Sequence, residues 1–173
     1  MVASQTFWVF GYGSLIWRPD FTFISAQSAY LCGYHRSLCV YSHKYRGTSE
    51  KPGLVFGLLP GGCCEGRAFE VKGDDWPEVL AYLRKRETDV YHELNSELVL
   101  SDGKKVCALT FVADEGHVQF AGQLEIDAQM TIIRDAKGEM GTNRDYVVNT
   151  LTHLADLGIV DDYLSILGEK LQN

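Results

Sequence analysis

Thr6-Phe7-Trp8-Val9-Phe10-Gly11-Tyr12-Gly13-Ser14-Leu15-Ile16-Trp17 reads as a short apolar strand, Thr6 to Phe10, that runs straight into a glycine-bearing loop. Glycines directly after a strand let the backbone approach a ligand closely and aim successive N–H groups at an anion. The alternative is a glycine-containing bend in a curved strand. A dinucleotide fingerprint would need Gly or Ala at position 16 with a helix following, but Ile16 is followed by Trp17-Arg18-Pro19, which suits no such helix. A Walker-type lysine is also missing from the loop. The stretch therefore argues against a doubly wound nucleotide-binding fold.

The following segments extend the strand-rich reading. Ala29 to Tyr41 mixes aromatic and β-branched residues and reads as one or two strands. Leu54 to Leu59 and Gly66 to Val71 flank Pro60-Gly61-Gly62, which predicts a hairpin. Val90 to Leu100 and Val106 to Ala113 flank Ser101-Asp102-Gly103 and predict a second one. Helices are fewer. Asp75 with Glu78 makes a capping pattern, with Pro77 acceptable in the first turn. Thr142 with Asp145 repeats that pattern before Tyr146 to Leu157, Gly158 ends the helix, and Asp161 to Leu171 makes a last amphipathic one. No repeat or linker interrupts residues 1–173, which read as a single α+β domain: a small closed or nearly closed sheet with helices packed outside.

Composition narrows the function classes. The chain of 173 residues is 46% hydrophobic and 23% charged, a globular balance. Its net charge of -7 and its lack of a basic run longer than Arg84-Lys85-Arg86 argue against nucleic acid or an anionic membrane as partner. No apolar run approaches the roughly 20 residues that span a bilayer. Met1 to Phe10 lacks the pattern of a secretory leader. The odd set Cys32, Cys39, Cys63, Cys64 and Cys107 does not resemble a disulfide framework, so a cytoplasmic, reducing setting is expected. His35, His43, His92, His117 and His153 show no metal-ligand spacing with each other or with the cysteines, and no metal is expected. Cys63 and Cys64 lie in a turn region, where a nucleophile is conceivable but a small hydrophobe is the commoner use of cysteine.

One charged residue stands out. Trp76, Leu80 and Leu83 lie at i, i+4 and i+7 on the helix that starts at Asp75, and Glu87 continues the series at i+11. Either the helix ends near Lys85 and Glu87 is solvated or paired with Arg84 or Arg86, or Glu87 is a partly buried base. Burial and the negative end of the helix dipole would both raise its pKa, letting it accept a proton from an amine near neutral pH.

Val9 to Trp17 resembles the signature loop of the ChaC-type γ-glutamylcyclotransferases. Three further stretches then fall in that family's order: Arg46-Gly47-Thr48 with Glu50-Lys51-Pro52-Gly53-Leu54-Val55, Tyr82-Leu83-Arg84-Lys85-Arg86-Glu87, and Gly141-Thr142-Asn143-Arg144-Asp145-Tyr146. Ser49 stands where the family often has Pro, and Tyr45 where His is common. The resemblance implies a γ-glutamylcyclotransferase-like fold, a small mixed β-sheet or barrel with peripheral helices. It implies glutathione as a small-molecule substrate, no cofactor, and Glu87 as the catalytic base. The loop residues Phe10, Gly11, Tyr12, Gly13, Ser14 and Leu15 become substrate-binding candidates, and Arg46 and Tyr146 are further ones. Arg46 could meet a carboxylate with its planar fork, or make a surface salt bridge; Tyr146 could donate a hydrogen bond, or sit at the edge of the core. Two alternatives stay open: a cyclotransferase for other γ-glutamyl amides or γ-glutamylamines, and a non-catalytic binding module on the same fold.

Overall fold

Two long strands organise the computed structural model, which describes residues 5–173. Met1 to Ser4, part of the stretch read for a secretory leader, lie outside the described residues. Strands β1 (Thr6–Gly11), β2 (Ser25–Ser42), β3 (Gly53–Lys72), β4 (Tyr91–Leu100) and β5 (Lys105–Ala113) close into a barrel in the order β1-β3-β2-β4-β5. Neighbours run antiparallel except β1 and β5, which close the barrel in parallel through Trp8↔Ala108 and Val9↔Leu109. Helix α1 (Trp76–Arg86) follows β3. Helix α2 (Ile126–Asp135), the two-residue strands β6 (Lys137–Gly138) and β7 (Gly141–Thr142), and helices α3 (Asn143–Asp156) and α4 (Asp162–Gln172) complete the chain. The mixed α+β barrel with helices outside is the architecture expected from the sequence. No helix among the described residues is long and apolar enough to cross a membrane.

The hairpin predicted at Pro60-Gly61-Gly62 does not form. The chain runs on, so that Gly53–Lys72 is one strand, paired with β2 on both sides of the glycines, from Gly53 to Glu70. Cys32 pairs with Cys63 and Tyr34 with Pro60, leaving Gly61 and Gly62 opposite Gly33 alone. This is a bulge, with positive φ at Gly33 (96°), Gly61 (100°) and Gly62 (69°). The glycines do supply left-handed backbone, as the turn reading required, but it bends a strand instead of reversing it. The reversal between β2 and β3 lies in the loop 43–52, between the paired Ser42 and Gly53. The hairpin at Ser101-Asp102-Gly103 forms as expected, with Gly103 at φ 83° and its N–H bonded to the Leu100 carbonyl.

Successive residues of β1 enter different cores, because both of its faces are covered. Phe10 joins Leu31, Phe56, Leu58 and Leu98 in a core shared with Ile133 of α2, Val147 and Leu154 of α3 and Leu167 of α4. Val9 joins Phe69, Val71, Leu109 and Phe111 beneath α1. The buried face of α1 is Val79 and Leu83, while Trp76 and Leu80 are half-buried at its flank, Trp76 stacked on Phe7 at 4.7 Å. The expected stripe thus shifts by one position, and Glu87 follows Val79 and Leu83 at i+8 and i+4. Asp75 makes no side-chain cap: its own backbone is helical (φ -86°, ψ -15°), so its carboxylate is not aimed at the first-turn N–H groups. Thr142 and Asp161 do cap α3 and α4, accepting from the N–H of Asp145 and Leu164.

Candidate active site

Beyond the end of β1 the chain folds into a single turn of 3-10 helix, Ser14–Ile16. The Gly13 and Ser14 carbonyls accept from Ile16, Trp17 and Arg18, which leaves the Ser14 and Leu15 N–H groups at the open start of the turn. The buried Arg36 donates from Nε to the Tyr12 carbonyl at 2.6 Å, fixing the Tyr12–Gly13 peptide so that the Gly13 N–H points the other way. The Trp17 indole N–H bonds Thr150 of α3 at 3.1 Å, and Arg86 of α1 bonds the Ser14 hydroxyl at 3.0 Å. The loop is therefore held from three elements before any ligand arrives.

Next to it opens a cavity of about 570 Å³, lined among others by Phe10, Tyr12, Gly13, Ser14, Leu15, Arg46, Glu87 and Tyr146. Every residue expected at the site lies on this wall except Gly11. Gly11 is buried behind it, where an added Cβ would come within 2.9 Å of the Leu15 side chain. Gly13 has φ -133°, not a positive φ. What its missing side chain preserves is space: a Cβ there would lie 3.4 Å from the Tyr146 hydroxyl and 3.5 Å from Phe56.

Glu87 is the residue at which α1 stops; its N–H still bonds Leu83, but its ψ of 122° turns the chain away. Neither arginine beside it forms an ion pair with it. Arg84 pairs on the surface with Glu93, and Arg86 is engaged with Ser14, Tyr82 and the Arg18 and Pro19 carbonyls. Burial in the cavity wall pushes the Glu87 pKa up to about 7, and the nearby Arg86 charge opposes this only in part. Glu87 retains some solvent contact where it faces the cavity.

Tyr12, Tyr91 and Tyr146 surround that carboxylate closely enough for its charge to raise all three phenol pKa values further above what burial does. Tyr12 donates to the Phe111 carbonyl at 2.7 Å and Tyr91 to the Phe56 carbonyl at 2.9 Å. Tyr146 instead accepts the Phe56 N–H at 3.0 Å, so its own hydrogen is available to a ligand. Arg46, 7% exposed, lies over the Tyr146 ring at 5.5 Å and donates to the Thr142 carbonyl. Its pKa is lowered by burial, and no carboxylate among the described residues pairs with it. The surface salt bridge considered for Arg46 is thus absent. The small β6–β7 hairpin supports this arginine, with the Glu139 and Met140 N–H groups bonded to the Lys44 and Tyr45 carbonyls.

Sequence reasoning missed Tyr91 and the bracing role of Arg86. Arg86 was adjacent to Glu87 in the recognised stretch, which was a usable signal; Tyr91 carried none.

The described residues contain no group of three or more His, Cys, Asp or Glu side chains arranged to hold a metal ion. A family model described as ChaC-like protein matches residues 7–173. The chain is 34% identical over 162 residues to an Escherichia coli protein named glutathione-specific gamma-glutamylcyclotransferase, covering 92% of this chain and 70% of that one. It is 29% identical over 175 residues to the human glutathione-specific gamma-glutamylcyclotransferase 1, covering 98% and 74%. Among solved structures, a yeast gamma-glutamyl cyclotransferase specific to glutathione superimposes with a TM-score of 0.90 at 22% identity, covering 98% of this chain and 96% of that one, which establishes the shared fold. By the match over residues 7–173, the chain belongs to the ChaC-like family.

Proposed function

We propose that this protein cleaves glutathione into 5-oxoproline and cysteinylglycine by cyclising the γ-glutamyl group. The observation that carries the reading is Glu87, a carboxylate with no ion-pair partner, raised to a pKa of about 7 and facing the cavity beside the Gly13–Leu15 loop. The names of the E. coli and human relatives point to the same substrate.

The reaction is intramolecular: the α-amine attacks the γ-carbonyl, a five-membered lactam closes, and the amide nitrogen leaves. The amine is mostly protonated near neutral pH, and Glu87 is suited to take its proton because its own pKa lies near the working pH. Ring closure already removes the entropy of bringing two molecules together, so the cavity has to hold the γ-glutamyl chain folded. Negative charge develops on the γ-carbonyl oxygen, and the Ser14 and Leu15 N–H groups with the Tyr146 hydroxyl are donors suited to meet it. Arg46, buried without a carboxylate of its own, is suited to a substrate carboxylate through its planar fork. Protonated Glu87 then returns its proton to the departing amine. The cysteines, which are free, suit a reducing compartment such as the cytosol.

Purified protein incubated with reduced glutathione should release equal amounts of 5-oxoproline and cysteinylglycine, read by chromatography. Intact glutathione after prolonged incubation would overturn the assignment.

A further inference from the structure

Cys32 and Cys63 face each other across β2 and β3 as direct register partners, away from the Glu87 cavity. Both are free and exposed, and the Cys63 sulfur lies 2.7 Å from the Cys32 sulfur. Directly opposed residues of antiparallel strands have Cα atoms about 4.5–5.5 Å apart, inside the roughly 4.4–6.8 Å that a disulfide requires. The pair adjoins the bulge at Gly33, Gly61 and Gly62, where an added Cβ at Gly33 or Gly61 would meet nothing within 4 Å. A reagent thus reaches the two sulfurs from open solvent. Cys63 also lines a second cavity, of about 630 Å³, whose mixed walls include His35, Arg36, Glu65 and Gln123 beside Leu124 and Ile159. That space can hold a peptide joined to the Cys63 sulfur.

The other cysteines lack this arrangement. Cys39 and Cys64 are buried, and Cys107 is exposed but stands opposite Glu97. The Cys32 thiol is held above its usual range chiefly by its contact with Cys63, a restraint that ends once Cys63 is bound in a mixed disulfide. Arg36 bonds both the Glu65 carbonyl and the Tyr12 carbonyl, so the pair lies on the strand segment that braces the Gly13 loop.

We propose that Cys32 and Cys63 form a dithiol–disulfide exchange site for small peptide disulfides such as glutathione disulfide. The Cys63 thiolate attacks one sulfur of that disulfide, its S–S bond breaks, and one glutathione leaves as thiolate. The Cys32 thiolate then attacks the Cys63 sulfur and expels the second glutathione. Two protein thiols are oxidised, one glutathione disulfide is reduced to two glutathione molecules, and the two protons given up by Cys63 and Cys32 pass to the departing glutathione thiolates. The exchange involves neither Glu87 nor its cavity.

The test is to incubate the pre-reduced chain with excess glutathione disulfide, remove the reagent, denature, count free thiols and map the peptides by mass. The expected result is loss of two of the five thiols, a Cys32–Cys63 cross-linked peptide, and full reversal by dithiothreitol. Cys32→Ser, folded by circular dichroism, should instead retain one glutathione on Cys63, because the resolving sulfur is gone. Retention of all five thiols, stable glutathione adducts on the wild type without an internal bond, or a bond between other cysteines would each overturn the proposal.

Discussion

Glu87 is held in a state that opposes folding at neutral pH. Its carboxyl has a pKa of about 7 in the folded chain against an ordinary value of 4.5, so the folded state binds the proton more tightly than the unfolded one. Stability from this group is therefore full below about pH 4.5 and is lost as pH rises through 7. Glu87→Gln, always neutral, should be more stable than wild type at pH 8 by on the order of 2–3 kcal/mol, with the difference vanishing toward pH 4.5. Denaturant midpoints at the two pH values measure this, and equal midpoints at pH 8 would contradict it. The same variant should lose at least about 10²-fold in turnover, the usual scale of a removed general base, with an unchanged circular dichroism spectrum. In wild type, kcat/KM should fall on the acid side with an apparent pKa near 7, since protonated Glu87 accepts nothing. At Gly13, valine would press its methyl groups toward Tyr146 and into the cavity. Gly13→Val should lower kcat/KM by about 10²-fold, as expected when reacting groups are displaced by an ångström. Unaltered kinetics in the soluble variant would make the loop purely structural.

Helix starts in this chain look alike as sequence but differ in their caps. Thr142 and Asp161 adopt extended backbone (ψ 151° and 171°) that aims their oxygens at the Asp145 and Leu164 N–H groups. Asp75 is already helical and caps nothing through its side chain. Thr142→Ala and Asp161→Ala should each cost about 1 kcal/mol, whereas Asp75→Ala should stay within a few tenths. Chemical denaturation of the three variants decides this, and an equal cost at Asp75 would refute the cap geometry. Long strands carry a comparable lesson. Pro60-Gly61-Gly62 has turn composition, yet β2 offers a partner on both sides of it, so the left-handed glycines become a bulge between Cys32↔Cys63 and Tyr34↔Pro60. Helix α2 escaped the sequence reading because Ile126–Asp135 lacks a capping residue: Glu125 precedes it without a side-chain cap bond.

At the scale of the molecule, the cavity is assembled from the β1 loop, the loop bearing Arg46, the end of α1 and the start of α3. A site that leaves buried polar groups unsatisfied with the wrong substrate discriminates strongly against it. With Arg46 lacking a carboxylate and the Tyr146 hydroxyl hydrogen still to be donated, kcat/KM for reduced glutathione should exceed that for γ-glutamylalanine and γ-glutamyl-ε-lysine. A preference for either of the latter would transfer the cyclisation chemistry to another γ-glutamyl amide. Some of this was legible from residues close together in the chain. The Ser101-Asp102-Gly103 turn, the Thr142 cap, the stop at Gly158, the amphipathic helix from Asp161 and the phase of Glu87 with Leu83 depend on neighbours within a turn or two, and such local patterns determined the strand-rich start, the helical end and the candidate base. Other features depended on groups far apart in sequence. Arg46 reaches Tyr146 across 100 positions, Tyr12 lies beside Glu87, and Phe56 bonds both Tyr91 and Tyr146. Whether Glu87 would be solvated, paired or desolvated was decided only when the barrel, α1 and α3 closed around it, because desolvation is a property of everything packed near a charge and not of the residues beside it in the chain.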